Sequence, residues 1–146
     1  MKHHTIPRIV TKLIIPLILL FGLYIQFHGD YSAGGGFQAG VIIASGFILY
    51  NIIFGLEVGL SILSINMTKN LMAIGILLYI AVGFMGIIQG LNFLEYNALL
   101  DSSKQGQLLG IFLVELGVGL TVSNVMILIF YSLEILRHLS YFENYH

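Results

Sequence analysis

Hydrophobic residues fall along this chain in four long runs, separated by short polar segments. The runs cover residues 9–27, 37–56, 71–91 and 108–133. Each run is long enough to cross about 30 Å of hydrocarbon as a helix, which rises about 1.5 Å per residue. None has the polar face that a helix in a water-soluble bundle would carry. The pattern therefore predicts an all-α membrane protein, a small bundle of four transmembrane helices forming a single transmembrane domain over residues 1–146.

The composition narrows the functions that such a chain can have. Of its residues, 58% are hydrophobic and 9% are charged, against roughly 25% charged in soluble domains. The net charge of −1 provides no basic surface for nucleic acid. The absence of cysteine excludes disulfides, thiolate metal sites and a cysteine nucleophile. No phosphate-binding loop or hydrolase motif occurs, so we expect no enzymatic activity, no metal and no cofactor.

The distribution of basic residues predicts the orientation in the cell membrane. Only Lys104 lies in the connections that follow the first and third runs. The other basic residues lie in the N-terminal segment, in the connection 57–70 or in the predicted tail 134–146; they are Lys2, Arg8, Lys12, Lys69 and Arg137. Since basic residues concentrate in cytoplasmic segments, both termini should be cytoplasmic. A cleaved signal peptide is disfavoured because Tyr31 lies two residues before Ala33, where a cleavage site needs small residues.

Small residues line one face of three of the predicted helices. At 100° per residue, these faces, here called the glycine seams, group Gly36, Gly40, Ala44, Asn51 and Gly55 on the second run, Gly75, Tyr79, Gly83, Gly86 and Gly90 on the third, and Gly106, Gly110, Gly117, Thr121 and Asn124 on the fourth. Small residues let helices approach closely in lipid. The glycine seams either pack the four helices together or meet other proteins, and both alternatives stay open.

The segment 28–36, here called the glycine loop, joins the first two runs. Its three successive glycines permit positive φ angles and close approach of another chain or an ion. The pattern around Gly34 and Gly36 imitates a dinucleotide-binding turn, but that motif requires a βαβ unit. His28 and Asp30 are candidates for a proton or cation relay because imidazole titrates near neutrality. The alternative is that both are solvated loop residues.

Glu115 is the only ionisable residue deep in a predicted span. A charge there costs about 2.5–3.5 kcal/mol, so the carboxyl group should be protonated, paired or hydrated. The seam of its own helix lies about 180° away, so its partner must come from elsewhere. An ion or proton path is the functional interpretation, and a structural hydrogen bond from a neutral carboxyl is the alternative.

The residues His28 to Gly40, HGDYSAGGGFQAG, resemble the B subunit of multisubunit Mrp-type sodium/proton antiporters, the MnhB family. The likeness covers nearly the whole chain, with four spans, a glycine triplet before the second and an acidic residue in the fourth, within FLVELGVGLTV. The family residues present here are His28, Gly34, Gly35, Gly36, Phe37 and Glu115. Where the family often has proline before the triplet, this chain has Ala33, which removes a fixed φ angle from the loop.

The resemblance implies an accessory membrane subunit, without a reaction of its own, in a complex that exchanges Na⁺ or another monovalent cation for H⁺. Its partners would be the other membrane subunits. Glu115, His28 and Asp30 would then lie on an ion or proton path, or the loop residues with Gly40 and the seams would serve assembly. A subunit of a related hydrogenase-type complex and a free-standing homo-oligomeric transporter remain as alternatives.

Overall fold

The computed structural model describes residues 5–29, 34–96, 99 and 103–143. Within these ranges the chain forms five helices and no strand: α1 Thr5–His28, α2 Gly36–Phe54, α3 Leu56–Ile62, α4 Ile65–Ile88 and α5 Ser103–Glu143. All except α3 are long and apolar enough to cross a membrane. The prediction of an all-α fold with four membrane spans is confirmed.

The four long helices lie side by side in the order α1, α2, α5, α4, since each of these neighbouring pairs makes extensive contact and α1 touches α5 only briefly. Gly36 packs on Glu115 and Gly40 on Gly119, so α2 and α5 run parallel. The arrangement is thin, and α1 and α4 at its two edges keep most of their large hydrophobic side chains exposed. These outer faces are available to lipid or to other proteins.

The connection predicted at residues 57–70 is largely helical. α2 ends at Phe54 because Gly55 has φ +100°, and the chain turns there into the short helix α3. α4 then begins at Ile65, six residues earlier than the predicted start of the third span, because Ser64 accepts a hydrogen bond from the backbone N–H of Met67 at 3.3 Å. A serine in this position satisfies one of the free N–H groups of the first turn.

The segment predicted as a tail from residue 134 is also helical, since α5 continues to Glu143. With 41 residues, α5 is about 61 Å long, roughly twice the hydrocarbon thickness of a bilayer. Glu134 pairs with Arg137 on this extension. The long uncharged run ends at Leu133, whereas the helix continues through a mixed segment in which Glu134 contacts Arg137 and His138 one turn away.

The main buried cluster lies at the α3 end of the structure and contains Ala44, Ile127 and Tyr131. Tyr131 is only 1% exposed, and its hydroxyl donates a 2.8 Å hydrogen bond to the carbonyl oxygen of Leu63. Nearby, the Asn51 side chain occupies the space that a Cβ on Gly59 would need. The cluster therefore fastens α3 and the start of α4 to the α2–α5 pair.

The glycine seams pack within the chain. Gly75 faces Gly117 and Thr121 across the α4–α5 contact, whereas the other seam glycines of this region face the connecting segment that follows α4: Gly83 meets Phe93, Gly86 meets Asn92 and Gly110 meets Tyr96. Asn124 donates to the Leu120 carbonyl of its own helix at 2.7 Å. Gly55 and Gly90 belong to no seam, because they lie beyond the ends of α2 and α4 with φ +100° and +76°, and a Cβ at either would meet nothing within 4 Å.

Candidate membrane-embedded carboxylate site

The end of α1, Gly35 and the start of α2 meet the side of α5 at Glu115. A Cβ added to Gly29 would stand 2.9 Å from Oε2 and 3.0 Å from Oε1 of Glu115. A Cβ added to Gly35 would stand 3.3 Å from Oε1. The partly buried carboxyl group therefore lies against the bare backbone of Gly29 and Gly35, one on each side of residues 30–33.

The helices that hold this carboxyl group approach each other through backbone alone. A Cβ on Gly36 would collide with the backbone carbonyl of Glu115, and a Cβ on Gly40 would stand 2.7 Å from the carbonyl oxygen of Gly119. Both glycines are buried. Glycine is required here for close approach, because any side chain would push α2 away from α5 and separate the loop from the carboxyl group.

The glycine triplet acts through contact and not through unusual backbone angles. Gly35 has φ 170°, an extended conformation that any residue adopts. Gly34 faces the Ile25 side chain, with its Cβ position 2.9 Å from Ile25 Cγ2. The positive φ angles expected in the triplet occur elsewhere among the described glycines, at Gly55 and Gly90, where they end helices.

The remaining predicted loop residues have different surroundings. His28 is exposed, stacks on Tyr24 with ring centroids 4.3 Å apart, and has Nδ1 3.1 Å from the Tyr24 carbonyl oxygen. Phe37, in the first turn of α2, is also exposed. Asp30 and Ala33 lie outside the described residues. The structure thus places Glu115 at the glycine loop, beside the residue that follows His28.

Gln26 is a further polar residue at this site that the sequence reasoning missed. It is 5% exposed, and its side-chain oxygen occupies the space that a Cβ on Gly119 would need, one turn from Glu115 on α5. A usable signal was present, since Gln26 is the only amide side chain in residues 9–27. A neutral amide is a weaker signal than a charged group in an apolar run.

The site lies further into the helix bundle than the end of α4 and the start of α5. Glu115 is about 18 Å from the first residue of α5, at about 1.5 Å per residue, yet it lies level with the start of α2. The part of α5 before Glu115 packs against the segment that follows α4, as Gly110 does against Tyr96. Gly29 and Gly35 are therefore recessed relative to the described segment that follows α4.

A single carboxyl group in this setting can take up and release a proton or bind a monovalent cation while it is ionised. Among the described residues, no group of three His, Cys, Asp or Glu side chains could hold a metal ion. The described residues thus bring together one carboxyl group, the backbone of Gly29 and Gly35 and, one turn along α5, one amide side chain.

Comparisons with known proteins give a consistent result. Residues 6–128 match a family model described as a domain related to the MnhB subunit of Na⁺/H⁺ antiporter. A Staphylococcus haemolyticus protein named "Putative antiporter subunit mnhB2" is 33% identical over 136 residues, covering 91% of this chain and 96% of the relative. A Staphylococcus aureus protein of the same name is 35% identical over the same length and coverage. Gln26, the glycine loop and Glu115 all lie within the matched region.

Proposed function

Because this chain belongs to the MnhB family and is a multi-pass membrane subunit of a multisubunit Na⁺/H⁺ antiporter, we propose that Glu115 carries a proton or cation along the exchange path of that complex. The chain carries no reaction of its own. Glu115 supplies the titratable group, and the glycine loop supplies the backbone surface on which the ion is exchanged.

The observation that carries this proposal is the contact between the Glu115 carboxyl group and the backbone of Gly29 and Gly35. Glycine has no side chain to cover its backbone, so backbone groups border the carboxyl group at both positions. Such a group is stable as a neutral acid in the membrane and as a carboxylate when a cation is near.

Assembly is the second part of the proposed function, and the exposed faces of α1 and α4 favour it. Most of the small residues in the seams pack inside the chain, so we assign contacts with other subunits to the outer faces of these edge helices. Large hydrophobics exposed there include Leu13, Leu20, Leu77 and Phe84. We place both termini in the cytoplasm, from the distribution of Lys and Arg.

Glu115→Gln tests the transport role, because glutamine keeps the size and hydrogen bonding of the acid but does not titrate. The variant complex should assemble in normal amounts and lose at least tenfold of cation-dependent proton movement in everted membrane vesicles. Glu57→Gln is the matched control, because Glu57 is an exposed acid in the first turn of α3, and it should transport normally.

Two outcomes would contradict the proposal. Normal antiport with a normal pH optimum in Glu115→Gln would leave the carboxyl group a structural role only. Purification of the tagged chain in mild detergent without larger membrane partners would refute its role as a subunit. That second result would favour a free-standing transporter instead.

A further inference from the structure

Gln26 carries a donor that the described part of the chain does not satisfy. Its Nε2 is buried and has no hydrogen-bond partner among the described residues. The residue as a whole is only 5% exposed. Its Oε1 lies against Gly119. The large majority of buried side-chain polar atoms in proteins are paired, and lipid offers no substitute for a missing partner. The Nε2 group therefore marks the position of an acceptor.

The position of Gln26 relative to Glu115 indicates which second group the acceptor can contact. Glu115 and Gly119 are one turn apart on the same face of α5, which corresponds to a rise of about 6 Å. Two successive hydrogen bonds of about 2.8 Å each, through one water molecule, span a similar distance. The backbone carbonyl of Gly36 is also close, 3.1 Å from the Cβ position of Gly119.

We propose that Gln26 and Glu115 share one hydrated site, in which an ordered water accepts a hydrogen bond from Gln26 Nε2 and donates one to the Glu115 carboxylate. Gln26 is then a positioning residue that holds the water through which Glu115 exchanges its proton. A buried water needs two to four polar partners, and Gln26, Glu115 and the Gly36 carbonyl supply three. This site rests on the proposed function and gives it a second residue.

The first test replaces Gln26 and exchanges the two side chains in the whole antiporter complex. Gln26→Met keeps the length of the side chain without its polar atoms, and we expect normal assembly with at least tenfold slower antiport. The double variant Gln26→Glu/Glu115→Gln moves the carboxylate to the other end of the same site. It should transport at least fivefold faster than Glu115→Gln alone.

Thr11→Val is the matched control, because Thr11 is also a buried polar residue of α1 but lies about four turns from Gln26. This variant should transport normally. If Glu115→Gln slows antiport and the double variant is no faster, the two residues do not share a site and the proposal is overturned. This comparison holds even if Gln26→Met fails to assemble, since both double and single variants retain polar groups at both positions.

A spectroscopic readout separates failure of this inference from failure of the transport role. The infrared carboxyl band that disappears in Glu115→Gln reports the hydrogen bonding of Glu115 directly. It should shift to higher frequency in Gln26→Met, because the carboxyl group loses its water, and stay unchanged in Thr11→Val. An unshifted band in Gln26→Met overturns the shared site. A shifted band with normal antiport in Glu115→Gln would uphold the shared site and refute only the transport role.

Discussion

The Tyr131 hydroxyl donates a 2.8 Å hydrogen bond to the carbonyl oxygen of Leu63, which lies between α3 and α4. This contact joins residues 68 positions apart in the sequence. It connects the last membrane helix to the residue that directly follows α3. The bond therefore fixes the α3–α4 corner on the α2–α5 pair, at the opposite end of the structure from Glu115.

Tyr131→Phe should weaken this corner without emptying the core. The ring remains packed, and only the hydroxyl is lost, so we expect a loss of about 1 kcal/mol in the free energy of unfolding. The midpoint of thermal denaturation of the purified complex measures the effect. Tyr24→Phe is the control. Because Tyr24 is exposed, this variant should leave the midpoint unchanged. Equal midpoints for Tyr131→Phe and wild type would contradict a stabilising role for the bond.

Gly36→Ala should separate α2 from α5 and reduce antiport. The new methyl group would meet the backbone of Glu115, which cannot rotate away, so the helices must move apart. Gly34→Ala is a close control, because its methyl group would meet a side-chain methyl of Ile25, Cγ2, at 2.9 Å and not a backbone atom. We expect Gly36→Ala to lose most complex assembly or antiport and Gly34→Ala to keep most of both, measured by co-purification and vesicle assays. The reverse order would contradict this packing.

Gly75→Ala should loosen α4 from α5. A Cβ there would stand 2.7 Å from the Gly117 carbonyl oxygen, and overpacking of this kind costs about 1–3 kcal/mol. Thermal denaturation in detergent should show a lower midpoint. Ala73→Val adds volume to an exposed position two residues earlier and should leave it unchanged. Equal midpoints for the two variants would contradict a close α4–α5 contact at Gly75.

The absence of cysteine allows a direct test of the predicted orientation. Leu139→Cys, in the C-terminal part of α5, should react with a membrane-impermeant maleimide only in everted vesicles. Leu91→Cys, after α4, should react only from outside intact cells. Both leucines are exposed. Opposite labelling of the two cysteines would reverse the orientation derived from the basic residues.

The four spans could be predicted from the sequence because each span is apolar on all sides and long enough for a bilayer. Their ends could not, since they depend on local features that hydropathy does not measure. Ser64 starts α4 through its side-chain oxygen, Gly55 ends α2 through its φ angle, and Glu134 supports a polar extension of α5 through Arg137.

The candidate site could be predicted only in part. Glu115 stands out because it is charged within an apolar run, and periodicity correctly placed it opposite the Gly117 and Thr121 side of its helix. Which element faces it depends on the order of the helices, and one sequence does not specify that order. Gln26 illustrates the same limit, since its burial follows from the crossing of α1 and α5 at Gly119 and not from its neighbours in the sequence.

The unbroken course of α5 has a mechanical consequence. Both prolines of the chain precede it, and α5 runs without interruption from Ser103 to Glu143. Tyr131 and Glu115 therefore sit on one stiff rod, about 24 Å apart along its axis. Any axial displacement or rotation of α5 as a unit would therefore move both residues together. A displacement of one turn, about 5.4 Å, would carry that group away from Gly29 altogether.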